Sequence, residues 1–360
     1  MALIREADLA GAREIEPDNE PAVDVRLVGF RYHPALGGAE QHSRRLLQEL
    51  GPRLSVDVVT VLTENRSDWI RALIGGARDR EERYEVDGRL VRALARWPVK
   101  VRRRLTLLSP LYHLPSSPAP GLMGRLLAPE LAPVVRGTRL IHNVFMGREA
   151  FSLGLMLATH RLGEKFLFVP LAHQRPLGWN SPAFRQLYRE SDRVIALTQH
   201  EADWLARQGA PRERLRVIGI GPLSDPSASP AAARQLLGDR KLVLFLGQLH
   251  DYKGYRQLLE AAARLSDRDD LLFVFAGPDV RHHARRFKDA PANVRYLGRI
   301  DDDLRNSLLQ ACTVLCVPSS RESFGGVIVD AWACGKPVIG GPAPATRELV
   351  EPDRNGVLVE

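Results

Sequence analysis

Short apolar runs alternate with longer segments of helical periodicity along the whole chain, the pattern of parallel α/β sheets. In the first half, strands are predicted at Val25–Phe30, Val56–Leu62, Leu90–Leu94, Leu140–Val144, Phe166–Leu171, Val194–Leu197 and Arg216–Ile218. Helices fit Ala39–Leu50, Arg148–Leu162 and Glu201–Gln208. From Gly219 to Pro230 the chain reads G-I-G-P-L-S-D-P-S-A-S-P, which breaks both periodicities and predicts a connector over residues 219–234. Beyond it the alternation restarts. Strands are predicted at Lys241–Leu246, Leu271–Ala276, Val294–Leu297, Thr313–Val317, Pro337–Ile339 and Val357–Val359, and helices at Gly254–Leu265, Asp302–Gln310 and Val327–Ala333. The expected architecture is a polar tail over residues 1–21, then two doubly wound Rossmann-like α/β domains, 22–218 and 235–360, facing each other across a cleft. Ligands of such sheets bind beyond the C-terminal ends of the strands.

Composition narrows this little. A chain of 360 residues is long enough for two cores, and 44% apolar with 26% charged residues is ordinary for a globular protein. Its apolar runs fall short of the ~20 residues that cross a bilayer. The start, M-A-L-I-R-E-A-D, lacks the apolar stretch of a secretory signal. Three cysteines, all within 312–334, make no disulfide framework, so a cytoplasmic location is expected. Cys312 and Cys316 read as small buried residues rather than half of a zinc set.

Charge adds one feature. The net +8 comes from arginine, densest in Arg96–Arg104 (R-W-P-V-K-V-R-R-R), a stretch without an acid. With Trp97 and Tyr112 as anchors, it reads either as a peripheral contact with an anionic membrane surface or as a solvated face beside an irregular loop. No nucleic-acid partner is expected.

The most informative stretch is Cys312–Gly335. An apolar strand is closed by Pro318, a polar loop follows, and Phe324-Gly325-Gly326 opens an apolar helix. Such a helix presents unpaired backbone amides and the positive end of its dipole, and the two glycines allow close approach. Glu322 lies just before it and Asp330 two turns inside. Acids beside an anion-binding end suit a ligand with both phosphates and hydroxyls, such as a sugar nucleotide. A similar opening occurs at Gly37-Gly38, within Y-H-P-A-L-G-G-A-E, where a simple turn is the alternative. Directly after the strand K-L-V-L-F-L, the loop G-Q-L-H-D-Y-K-G places Gln248 and Lys253. His173 and His142 sit at two further strand ends, each also readable as a hydrogen-bonded structural histidine. Gly298-Arg299-Ile300 follows another strand and is a candidate base-contacting loop.

The acid, Phe-Gly, acid arrangement from Glu322 to Asp330 resembles the E-x7-E motif of family 4 retaining glycosyltransferases, which have the GT-B fold. Ala331–Val338, Arg347-Glu348 and Asn355-Gly356 are similar to that family as well. The resemblance implies transfer of a sugar from a nucleotide-diphosphate donor to a hydroxyl acceptor, saccharide or lipid-linked, with retention and without a metal or further cofactor. It implies catalytic roles for Glu322, His173 and Lys253. Donor contacts are implied at Gly37, Gly38, Gln248, Lys253, Ile300, Glu322, Ser323, Phe324, Gly325, Gly326, Val327 and Asp330, with Asp330 on the ribose. Gln248 stands where the family has Arg, and Asp330 where it has Glu. Arg299, Arg321 and His250 are the groups able to replace the missing cation. Family members continue beyond the strand at Gly356–Val359, so a partly uncovered closing face is expected.

Two other functions remain open at this point. One is a degenerate, non-catalytic domain that binds a sugar nucleotide or a partner subunit. The other is a sugar-nucleotide epimerase of the same architecture. A nicotinamide oxidoreductase is disfavoured, since no G-x-G-x-x-G follows a strand.

Overall fold

The computed structural model describes residues 22–35, 37–51, 53–64, 68–76, 78–172, 179–279 and 283–360. Contacts divide the chain into two units, one of residues up to Ala196 with Ala202–Ile218, the other of Leu197–Glu201 with Gly219–Glu360.

The first unit opens with β1 (Val23–Arg31), α1 (Gly38–Leu50), β2 (Val56–Leu62), α2 (Trp69–Gly75), β3 (Glu82–Val86) and β4 (Arg89–Ala93). It continues through α3 (Val99–Leu108), α4 (Ala119–Val135), β5 (Thr138–Val144), α5 (Glu149–Arg161) and β6 (Lys165–Val169). It closes with α6 (Pro182–Glu190), β7 (Arg193–Ala196), α7 (Gln199–Arg207) and β8 (Leu215–Val217), the start of α7 counting with the second unit. The strand order is β3-β4-β2-β1-β5-β6-β7-β8, parallel except where β3 runs against β4. All seven residues of β2 are buried, as a central strand covered on both faces requires. That burial includes Asp57, which stands opposite Arg26 of β1 and accepts from its Nε at 2.8 Å and its Nη2 at 2.6 Å. The same guanidinium donates to the carbonyls of Val134 and Arg136, so two buried charges and the end of α4 satisfy one another.

Several of these elements depart from the sequence expectation. The hairpin β3–β4 turns at Asp87-Gly88, both with positive φ, the dipeptide that favours a two-residue turn. α4 forms despite Pro120, Pro129 and Pro133. Pro120 lies in the first turn, where its missing N–H has no partner to lose, and the other two stand four apart on the exposed side. The arginine-rich segment runs from Val99 onward as the helix α3, where the sequence pattern predicts no element. Nor are Trp97 and Tyr112 surface anchors. They are 5% and 6% exposed, with Trp97 Nε1 donating to the Leu73 carbonyl at 2.7 Å and Tyr112 Oη to Glu149 at 2.7 Å.

The second unit runs α8 (Ala231–Leu237), β9 (Lys241–Leu246), α9 (Tyr255–Arg264), β10 (Leu271–Ala276), β11 (Val294–Gly298) and α10 (Asp302–Ala311). It then adds β12 (Val314–Val317), α11 (Gly326–Ala333), β13 (Val338–Gly340), α12 (Pro344–Leu349) and β14 (Gly356–Leu358). Its sheet is wholly parallel in the order β11-β10-β9-β12-β13-β14. Counted along the chain, this is third, second, first, fourth, fifth, sixth, the order of a dinucleotide-binding sheet. Its crevice opens where the order reverses, between β9 and β12. Cys312 and Cys316 are buried in this unit's core, and burial pushes their thiols up to about 11 and about 12. β14 forms the edge, with Val357 and Val359 exposed. The segment after Gly219 is no loose connector. It is strapped to the second unit by Asp225 N on Asn306 Oδ1 at 3.2 Å and Gln310 Nε2 on the Pro226 carbonyl at 2.7 Å. Among the described residues, no helix is long and apolar enough to cross a membrane.

Candidate functional site

The reversal point of the second sheet joins the loops that leave β9 and β12. After β9 the chain makes a single turn, Asp251–Lys253, and enters α9 through Gly254. Gly254 has φ 75°, and a Cβ there would lie 2.2 Å from the Pro318 carbonyl oxygen. No larger residue fits this contact, which explains the Lys-Gly pair. The loop after β12 grips the same turn. Ser320 N donates to the Tyr252 carbonyl at 2.8 Å, and the completely buried Ser319 brings its Oγ 3.4 Å from the Lys253 carbonyl. Sequence reasoning missed these two serines. Their only signal was P-S-S at a strand end.

This anchoring brings the Lys253 ammonium to Glu322, 69 residues away in sequence. Nζ lies 2.7 and 2.8 Å from the two carboxylate oxygens. Side-chain exposure is 23% for Lys253 and 7% for Glu322, so the pair is partly withdrawn from water but reachable. Nζ also lies 5.5 Å from the Tyr252 ring centre, itself packed against His250 at 4.8 Å. The chain then runs through Ser323 and the buried Phe324 to Gly325, which caps α11 at φ 98°. α11 carries no acid in its first turn, so the amides of Gly326 and Val327 and the helix dipole are answered by no carboxylate of their own helix. A cation, a carboxylate and a helix N-terminus thus converge on the crevice. Gln248, half-buried in the loop after β9, and Ile300, packed against this unit's core after β11, lie beyond two strand ends separated by β10.

Asp330 stands differently. It is 1% exposed and its oxygens meet protein donors: Oδ1 accepts from the amides of Leu223 at 2.6 Å and Ser224 at 3.0 Å, and Oδ2 from Arg305. Burial pushes its carboxyl upward, opposed by Arg305 and the two amides. The acid expected on the ribose is, in this structure, the buckle of the strap after Gly219. Glu348 acts similarly, accepting from the amides of Gln199 at 2.6 Å and His200 at 2.8 Å.

The remaining candidates lie in the first unit. Gly37 caps α1 in an extended conformation, and Glu40 in the first turn is buried beneath it, accepting from Arg31 Nε at 2.5 Å. An ideal Cβ on Gly37 would lie 2.4 Å from Glu40 Oε2, so the carboxylate sits against this helix end. Gly38 begins the helix with open space around its Cα. His142 is buried in β5, and burial together with nearby His42 pushes it down to about 4. His173 lies outside the described residues. Among the described residues, no three His, Cys, Asp or Glu side chains group to hold a metal.

Residues 37–221 match the glycosyl transferase 4-like domain, and residues 231–360 match glycosyl transferases group 1. The chain is similar to D-inositol 3-phosphate glycosyltransferase of Xylanimonas cellulosilytica, 33% identical over 49% of this chain and 46% of that protein. The protein of the same name from Geodermatophilus obscurus is 31% identical over 60% of this chain and 53% of its own length. The chain spans about half the length of these curated relatives. Among solved structures, Anabaena HepE in complex with UDP and glucose superposes with a TM-score of 0.67 at 20% identity, covering 93% of this chain and 85% of that one. Sucrose-phosphate synthase of Thermosynechococcus elongatus gives 0.63 at 18% identity, covering 93% and 86%. Two Rossmann-like units, each matched by its own glycosyl transferase domain, place this chain in the glycosyl transferase 4-like family, with the GT-B fold.

Proposed function

We propose that this chain transfers a sugar from a nucleotide-diphosphate donor to a hydroxyl acceptor, with retention at the anomeric carbon and without a metal. The observation that carries the reading is the Lys253–Glu322 pair, 2.7 Å apart beside the N-terminus of α11. As the glycosidic bond to phosphate breaks, negative charge grows on the diphosphate and positive charge on the sugar. Lys253 and the amides of Gly326 and Val327 stabilise the former, Glu322 the latter. A donor that draws Lys253 onto its phosphates frees Glu322 for the sugar hydroxyls, so one pair serves both ends of the breaking bond. Retention follows if the leaving phosphate assists attack on its own face, which needs no carboxylate nucleophile.

The names of similar proteins order the search. HepE is described with UDP-glucose, and the curated relatives act by name on D-inositol 3-phosphate. UDP-sugars and cyclitol phosphates therefore head the panels. The decisive experiment is a thermal-shift screen of UDP-, GDP- and ADP-sugars, then product analysis by NMR with and without EDTA. A stabilising donor, an axial-to-axial or equatorial-to-equatorial product and indifference to EDTA are expected. Inversion, or loss of activity restored by a divalent ion, overturns those parts of the reading.

Two observations favour a second reading, a binding domain without turnover: Gln248 supplies no charge, and Asp330 is engaged by Leu223, Ser224 and Arg305. Donor hydrolysis separates the two. A competent site releases nucleotide diphosphate slowly without acceptor, whereas a binding domain shifts in stability and releases none.

A further inference from the structure

α3 is amphipathic in the wrong sense for a surface helix. One side is seated normally: Leu105 is fully buried, and Val101 and Leu108 pack against the first unit's core. The opposite side should be polar. Instead Val99 is 53% and Leu107 77% exposed, and the chain beyond the helix adds Leu111 and Leu114 at 46% and 55%. Val99, Arg103 and Leu107 are four apart and share one stripe, with Lys100 and Arg104 on the next. Lys100, Arg103 and Arg104 make no ion pair among the described residues. Beside them a groove of roughly 580 Å³ is lined by Ile74, Val99, Arg102, Arg103, Thr106 and Leu107. Buried Trp97 and Tyr112 fix the segment at both ends, so the face is presented rigidly.

We infer that this face docks on an anionic lipid bilayer, the leucines entering the headgroup boundary and the cations resting at phosphate level. Isolated exposed apolar residues mean little, but a valine and three leucines within sixteen residues, interleaved with unpaired cations, match an interfacial helix. Charge selects the occupant. A second copy meeting this face symmetrically brings like charges together. Nucleic acid satisfies the cations but leaves the leucines in water. Only an anionic bilayer answers both halves of the pattern. The inference is independent of the donor site and stands or falls without it.

The test is co-sedimentation of the full chain with vesicles of phosphatidylcholine alone and of phosphatidylcholine mixed with phosphatidylglycerol. Sedimentation with the mixed vesicles only, reversed by high salt, is expected. The triple variant Lys100→Glu, Arg103→Glu, Arg104→Glu should weaken binding by on the order of a hundredfold or more, since each cation near an anionic surface is worth several-fold. Leu107→Glu with Leu111→Glu should weaken it roughly tenfold or more through lost apolar burial. All five positions are exposed, and unchanged thermal unfolding checks the fold. Should the triple variant fold poorly, Arg103→Gln with Arg104→Gln gives the same test at smaller amplitude. Equal partition onto both vesicle types, binding untouched by either variant, or self-association lost with Leu107→Glu in place of vesicle binding overturns the inference.

Discussion

The chain uses the same short device twice, a glycine pair between a parallel strand and a helix, and the two copies differ in what stands before them. At Gly37-Gly38 the helix end is answered from within, because Glu40 in the first turn of α1 is buried against it and locked to Arg31. At Gly325-Gly326 the first turn holds no acid, and Lys253 with Glu322 stands in front. Backbone conformation differs as well. Gly37 is extended, as any residue can be, while Gly325 sits at φ 98°. A glycine pair ahead of a helix is therefore not in itself an anion site. What stands near the amides decides: in the first unit a buried carboxylate of the helix's own first turn, in the second a partly exposed lysine–glutamate pair from two other loops.

The strongest way to break this contrast is to remove the cation. Lys253→Ala should lower turnover about 10²- to 10³-fold, the range for deleting one stabilising donor at a developing charge. Glu322→Gln should be comparably severe, and the double variant little worse than either, since groups acting as a unit are not additive. Steady-state transfer assays measure all three. Near-normal turnover in Lys253→Ala would mean that α11 alone, or another cation, carries the diphosphate.

Next in size is a titration that separates the units by stability rather than activity. His142 is buried in the first unit at 7% exposure, and its Nε2 has no hydrogen-bond partner among the described residues. Burial lowers it from 6.5 to about 4. The folded pKa lies below the unfolded one, so the unfolded chain binds the proton first. Stability from this group is complete above the unfolded value and drains away as pH falls toward the folded one. A displacement of this size corresponds to roughly 3 kcal/mol across that window. His142→Gln should flatten the acid limb of a urea-unfolding profile between those two values. An unchanged limb would place the acid sensitivity elsewhere.

How much of this was legible in advance follows from which groups meet near neighbours. The apolar runs of β1, β2, β9 and β10 announced themselves, because strands covered on both faces carry little else. The Phe-Gly-Gly opening of α11 was equally plain. The edge strand β3 was not, since E-R-Y-E-V faces water on one side and only Asp87-Gly88 marked its turn. α4 hid behind its prolines, whose placement on the solvent side no periodicity reveals. Trp97 misled because a ring with one polar atom suits an interface and a core alike, and only the Leu73 carbonyl decides between them. Asp330 was least legible, for two of its partners are backbone amides 107 and 106 residues distant, which leave no trace in residue type, and the third, Arg305, is one arginine among many.

The finest test of the contrast substitutes the same atom at each helix opening. Gly325→Ala forces a side chain into the left-handed region, a strain of about 1–2 kcal/mol, and sets a Cβ 3.0 Å from Ile328 Cδ1. Relief of that strain turns the peptide that aims the α11 amides, so donor affinity should fall about tenfold, together with unfolding stability. Gly37→Ala meets no backbone strain. Its Cβ displaces the ends of the Glu40 and Arg31 side chains and meets no backbone, and the expected loss of donor affinity is a few-fold at most, by analogy with an ordinary surface substitution of about 0.5 kcal/mol. Calorimetric titration of both variants with one donor reads the ratio directly. If Gly37→Ala proves the more damaging, the first helix opening also holds the donor, and the self-contained role of Glu40 is wrong.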